Sequence, residues 1–280
     1  MSTVAGSDYV LGRSPEEYAR LTLQARILRP FTEKFFRAAG LAPGMRVLDI
    51  GSGMGDVAML AADIVGPSGR VVGVDMDPTV LENGRRRTVE YGCSPWVTFE
   101  AADLQRFRAA EPFDALVGRY VLLYLPDAAA VIRHLLTSIK PGGIVVFHDL
   151  DLSHPRPSHP RCALWDQAYE FIREAFERAG APLDFGRKLG STFVKAGLPF
   201  PTIAAEDAVG GARGSYLYAW LATTVTSLIP RAASLGLSLP PDLAPVETLA
   251  ARLEEEAVRL GSQVHVAVQC AAWTRKPLQE

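Results

Sequence analysis

The stretch that most constrains the fold is Met45-Arg46-Val47-Leu48-Asp49-Ile50-Gly51-Ser52-Gly53-Met54-Gly55-Asp56-Val57-Ala58. A short apolar run ends in an acid and alternating glycines, and a helical pattern follows at once. Such a run reads as a buried parallel strand, a tight turn and then a helix. Gly51, Gly53 and Gly55 permit positive φ and carry no β-carbon that would keep a ligand off the backbone. The helix opening near Asp56 turns free N–H groups toward whatever occupies the turn.

Two ligand classes suit this turn. Dinucleotide sites use G-x-G-x-x-G with a pyrophosphate at the helix N-terminus. Here the spacing is G-x-G-x-G, and Asp49 stands two residues before the first glycine. A carboxylate there repels a pyrophosphate and suits a cationic ligand carrying an ammonium group and a sulfonium. The string Val-Leu-Asp-Ile-Gly-Ser-Gly-Met-Gly resembles motif I of class I S-adenosylmethionine-dependent methyltransferases, in their small-molecule branch. The resemblance implies S-adenosyl-L-methionine as cofactor and S-adenosyl-L-homocysteine as product. It assigns Asp49, Gly51, Ser52 and Gly53 to the cofactor.

Successive strands end in acids. Arg70 to Val74 reads as a second strand closing at Asp75, which lies 20 residues beyond Gly55. This is the distance at which an acid meets ribose hydroxyls in a βαβ nucleoside site. The adjacent Met76 is expected against the adenine. Asp77-Pro78 caps a helix running to about Tyr91. Trp96 to Ala101 alternates as a third strand and ends in Ala102-Asp103-Leu104; by resemblance, an acid here accepts from the adenine amino group. Phe113 to Gly118 is a fourth strand running into Arg119 and Tyr120, and the resemblance adds Gly118 and Arg119 to the cofactor set. Asp127 caps the next helix, with Ile132, Leu135, Leu136 and Ile139 as its apolar face and His134 off it, toward solvent. Lys140-Pro141-Gly142-Gly143 then turns into a fifth strand, Ile144 to Phe147, which ends in His148-Asp149.

Near the N-terminus, Ser14, Pro15 and Glu17 form a capping-box pattern, and a second helix is expected across Pro30 to Gly40. Tyr9 and Gln24 resemble the N-terminal cap of the same methyltransferase branch, whose helices close over the cofactor. Leu164 to Ala179 is a long amphipathic helix, Phe185 to Gly197 another helix, and Thr202 to Val209 a sixth strand. Residues 214–236, with Tyr216, Tyr218 and Trp220, are apolar nearly all round, which suits a core helix or the wall of a ligand cavity. A substrate lid is the expectation, and Tyr120, Tyr216, Tyr218 and Trp220 are the substrate-binding candidates. Gln263 to Trp273 is the last strand.

The fold implied is α/β: a doubly wound, mainly parallel seven-stranded sheet with an antiparallel last strand, an N-terminal helical cap and a helical lid insertion. The domains expected are a cap over 1–40, a Rossmann-like methyltransferase domain over 41–209 and 261–280, and a lid over 210–260. The chemistry expected is methyl transfer from sulfonium sulfur to an oxygen, nitrogen or carbon of a small, largely apolar metabolite. The carboxyl ends of the strands form the reactive rim, so His148 is the candidate base, with Asp149 as partner and Tyr120 to orient the acceptor. An NAD-dependent oxidoreductase and a non-catalytic S-adenosylmethionine-binding protein are the alternatives.

Composition narrows the partners. Net charge is −2, and the only basic run, Arg85-Arg86-Arg87, reads as a solvated helix face, which disfavours nucleic acid. No uninterrupted apolar run is long enough for a membrane span, and no signal peptide is evident. Cys93, Cys162 and Cys270 lack metal spacing, and reduced thiols in a cytoplasmic monomer or homodimer are expected. A zinc site from His148, His154 and His159 has no supporting ligand pattern, so no metal is expected.

Overall fold

The computed structural model describes residues 15–153 and 158–278. Helix α1 (Pro15–Ala39) is continuous through Pro30; no break separates two helices there. A proline costs a helix one hydrogen bond and bends it, but it need not end it when the flanking turns are packed. Beyond it, Thr32, Phe35, Phe36 and Ala39 form a buried stripe at helical spacing.

The chain then alternates β1 (Arg46–Ile50), α2 (Asp56–Val65), β2 (Arg70–Asp75), α3 (Pro78–Tyr91), β3 (Val97–Ala101), β4 (Phe113–Arg119), α4 (Ala128–Leu135) and β5 (Ile139–Asp151). Asp77 caps α3 by accepting from the Thr79 N–H, and Asp127 caps α4 through Ala130. The fifth strand begins earlier than the glycine pair suggests: Phe113 pairs with Ile139 and Ala115 with Ile144, so Lys140–Gly143 is a bulge within the strand. Next come β6 (Ser158–His159), α5 (Ala163–Arg178), α6 (Phe185–Lys195), β7 (Thr202–Glu206), β8 (Val209–Gly210), α7 (Tyr216–Ala232), α8 (Leu249–Leu260), β9 (Gln263–His265) and β10 (Val268–Arg275).

Seven strands form one sheet in the order β3-β2-β1-β4-β5-β10-β7. β1 to β5 are parallel. β10 runs against β5, with the Gly142 N–H bonded to the Lys276 carbonyl and the Lys276 N–H to Gly143. The last expected strand, Gln263 to Trp273, is not one strand. Its first part, β9, pairs with β6 and β8 in a separate three-stranded sheet, and the sixth predicted strand divides likewise into β7 and β8. Alternation specifies a strand but not the sheet it joins.

The chain contains two compact units. One comprises residues 29–149, 186–205 and 270–280. Its core on one side of the sheet joins Phe36, Ala39, Val57, Leu60, Ile64, Leu81 and Phe99 to the strand residues Val47, Val71, Val117 and Val146. The other comprises residues 1–28, 150–185 and 206–269, so residues 150–185, assigned from sequence to the sheet domain, group with the helices. There α5 packs on α7, and α7 on α8. Trp165 lies edge-on to Tyr218 at 6.0 Å and donates its indole N–H to the His265 carbonyl. Among the described residues, no helix is long and apolar enough to cross a membrane.

Candidate active site

In the sheet unit the strand order reverses between β1 and β4, the position at which doubly wound sheets bind ligands beyond their carboxyl ends. The glycine turn follows β1, and Arg119-Tyr120 closes β4. Gly51 has φ 62° and Gly53 φ 52°. A β-carbon on Gly51 would come 2.5 Å from Val121 Cγ2, whereas one on Gly53 would meet nothing nearer than 4.0 Å. Gly51 thus lets β4's continuation pack on the turn, and Gly53 leaves its outer side open.

Asp49 is 1 % exposed, and neither carboxylate oxygen has a hydrogen-bond partner; the buried Ser52 hydroxyl also lacks one. Burial pushes the Asp49 carboxyl up to about 7, against the pull of the neighbouring Ser52 hydroxyl and then of the Arg119 charge. Unpaired buried acceptors of this kind call for a donor, and an ammonium group supplies it. Asp75 is tied to the same turn: its Oδ2 accepts from the Gly53 N–H at 3.0 Å and its Oδ1 from the Asp77 N–H at 3.1 Å. Each oxygen keeps a second lone pair for a ligand hydroxyl. Met76 beside it is 72 % exposed. Ala102 donates its N–H to the Asp75 carbonyl, Asp103 accepts from Gln105, and Leu104 is buried. These contacts bring the ends of β1, β2 and β3 into one rim. Gly118 is packed tightly, a β-carbon there lying 2.9 Å from Val121.

A second cluster joins β4, β5 and α1. Arg119 and His148 are register partners. The Arg119 guanidinium, half-buried and lowered from its ordinary pKa by that burial, donates to Thr32 Oγ1 at 3.2 Å. Thr32 Oγ1 lies 2.9 Å from His148 Nδ1. His148 is fully buried, with Phe35 and Tyr120 edge-on at 5.1 and 5.5 Å. Tyr120 has φ 54°, a left-handed conformation that costs a side-chain-bearing residue about 1–3 kcal/mol. Its N–H bonds to the His148 carbonyl at 2.9 Å, which holds the strained residue against β5. Asp149 is buried beside them.

Thr32 was missed from sequence, although a polar residue interrupting an apolar helical stripe is a usable signal. Two of the three arginines read as a solvated face are engaged: Arg85 donates to the Phe99 carbonyl, and Arg87 to the Met54 carbonyl and Asp56. His134 likewise is half-buried, bonded to the Phe107 carbonyl and in contact with Arg108. Gln24 belongs to the other unit, buried and accepting from Arg20 at 2.6 Å; Tyr9 and His154 lie outside the described residues. On α7, Tyr216 is 59 % exposed with Arg26 over its ring, while Tyr218 is buried against Trp165. Trp220 is buried with its indole N–H unpaired. Residues two apart on a helix point to nearly opposite sides, so Tyr216 and Trp220 share a face and Tyr218 does not.

Residues 41–180, half of the chain, match a family described as a methyltransferase domain. The chain belongs to that family. A ubiquinone/menaquinone biosynthesis C-methyltransferase of Ectopseudomonas mendocina is 33% identical over 147 residues, 52% of this chain and 55% of that protein. The chain thus matches about half the length of such relatives. Two solved structures share the methyltransferase-domain fold over most of this chain. A Haemonchus contortus phosphoethanolamine N-methyltransferase in complex with S-adenosylhomocysteine has TM-score 0.58 and 17% identity, covering 99% of this chain and 61% of that one. The [4+2]-cyclase SpnF has TM-score 0.55 and 21% identity, covering 90% and 82%. At these identities the likeness is one of fold.

Proposed function

We propose that the protein is an S-adenosylmethionine-dependent methyltransferase acting on a small-molecule acceptor. The observation that carries this reading is the buried, partnerless Asp49 carboxylate behind an open glycine turn in a methyltransferase-family domain. A dinucleotide pyrophosphate would meet that carboxylate with like charge, which disfavours an oxidoreductase. When bound, the cofactor supplies a methyl group on cationic sulfur, already a good leaving group.

The protein's part is then to bind, align and exclude water. Asp49 takes the ammonium group, with Ser52 beside it, and the Gly51–Gly53 backbone lies along the ligand. Asp75 accepts from the ribose hydroxyls, Met76 and Leu104 flank the adenine, and Asp103 with Ala102 reads its edge. Gly118 and Arg119 complete the rim. His148, oriented by Thr32 through Nδ1, is the proposed acceptor of the substrate's proton, with Asp149 and Tyr120 next to it. A cytoplasmic protein without nucleic-acid or membrane partners fits the near-neutral charge.

Asp75 provides the test. Two charge-assisted hydrogen bonds to ribose are worth on the order of 3 kcal/mol together, so Asp75→Ala should weaken S-adenosylhomocysteine binding roughly a hundredfold. Calorimetric titration reads this directly; a folded variant with wild-type affinity would remove Asp75 from the cofactor site.

A further inference from the structure

We infer that Arg87, on α3, is a positioning residue for the cofactor: it fixes the glycine turn from the side away from the ligand. This inference rests on the S-adenosylmethionine reading of the turn.

The turn between β1 and α2 contains Gly51, Gly53 and Gly55, all at positive φ, and a segment so rich in glycine loses much conformational entropy on ordering. It also lacks a side-chain cap: Gly55 is the N-cap residue of α2 and offers no oxygen to the first turn. Within the turn the Gly55 N–H donates to the Ser52 carbonyl at 2.9 Å, and the other hydrogen bonds that hold it come from outside. From β2, the Val74 carbonyl accepts the Ser52 N–H at 3.1 Å, and Asp75 accepts the Gly53 N–H at 3.0 Å. Both anchors act on the first half of the turn, and Asp75 is itself assigned to the ligand.

The second half is held from α3. Arg87 Nη1 donates to the Met54 carbonyl at 2.8 Å, and Nη2 to Asp56 Oδ1 at 2.7 Å. The fork of one guanidinium thus spans the last residues of the turn and the first residue of α2, a geometry lysine cannot copy. The pair is well shielded, with the Arg87 and Asp56 side chains 23 % and 16 % exposed. Its charge matters too. Asp56 adds to the negative field at Asp49 and acts on Arg119, and Arg87 offsets that extra acid. Neighbouring Arg85 also bonds to main chain, at Phe99, but does not touch the turn.

The test is isothermal titration with S-adenosylhomocysteine, alongside thermal melting without ligand. Losing two hydrogen bonds that preorganise the turn should raise the Kd for Arg87→Ala about tenfold or more. Arg87→Lys, which keeps the charge and one bond, should recover part of that loss, and Arg85→Ala should leave the Kd within about twofold. Partial rescue by lysine is the outcome that a general loosening of α3 does not produce. An Arg87→Ala Kd equal to wild type, or an equal loss in Arg85→Ala, would overturn the inference. Should the alanine variant not fold, Arg87→Lys alone decides: a Kd unchanged from wild type contradicts the role of the fork, and a rise supports it. Failure of the wild type to bind would instead refute the cofactor reading itself.

Discussion

Asp49 is the residue on which the site's electrostatics turn. Its folded-state pKa, about 7, lies above the ordinary carboxylate value of 3.8. The folded ligand-free protein therefore holds a proton that the unfolded chain has released. Stability from this group is greatest at low pH, declines as pH rises between those two values, and is level above them. A bound ammonium group reverses the preference, because it favours the ionised carboxylate. Ligand binding should then release the proton, and affinity should rise with pH up to about 7. Between about pH 6 and about pH 7.5 the ionised fraction grows roughly eightfold, and the Kd for S-adenosylhomocysteine should fall by the same factor. Asp49→Asn should bind weakly and with little pH dependence over that range. A flat wild-type profile, measured by calorimetry in matched buffers, would mean that Asp49 does not meet the ammonium.

Among the elements, α7 carries the clearest division of labour. Tyr218 is buried edge-on to Trp165, so Tyr218→Ala should cost about 3–5 kcal/mol in urea unfolding. Tyr216, mostly exposed, should cost within about 0.5 kcal/mol when replaced by alanine. Equal losses at the two positions would mean that Tyr216, in the first turn of α7, is packed as firmly as Tyr218. The sequence pattern of this helix, apolar nearly all round, could not separate its exposed first residue from the buried ones that follow. Local signals were legible elsewhere. The caps at Asp77 and Asp127 and the glycine turn carry their chemistry within a few residues, and the elements they open lie where expected. What escaped was long-range. The continuity of α1 through Pro30, the division of the last strand between two sheets, and the Thr32 bridge between Arg119 and His148 depend on partners far along the chain. Arg87 escaped for the same reason, since 33 positions separate it from the Met54 carbonyl it holds.

At the scale of the whole molecule, family membership and a reversal of strand order between β1 and β4 converge on one crevice. Around it the sequence contributes a buried acid without a partner, an open glycine turn and a second acid at the end of β2. On the proposed function, this crevice receives a cationic adenosyl amino acid and not a pyrophosphate. Calorimetric titration of the full chain with S-adenosylmethionine and, separately, with NADH tests it most directly. Saturable binding of S-adenosylmethionine is expected, with a stoichiometry of about one per chain and a Kd in the micromolar range, near −8 kcal/mol, and no heat from NADH. Binding of NADH without S-adenosylmethionine would contradict it.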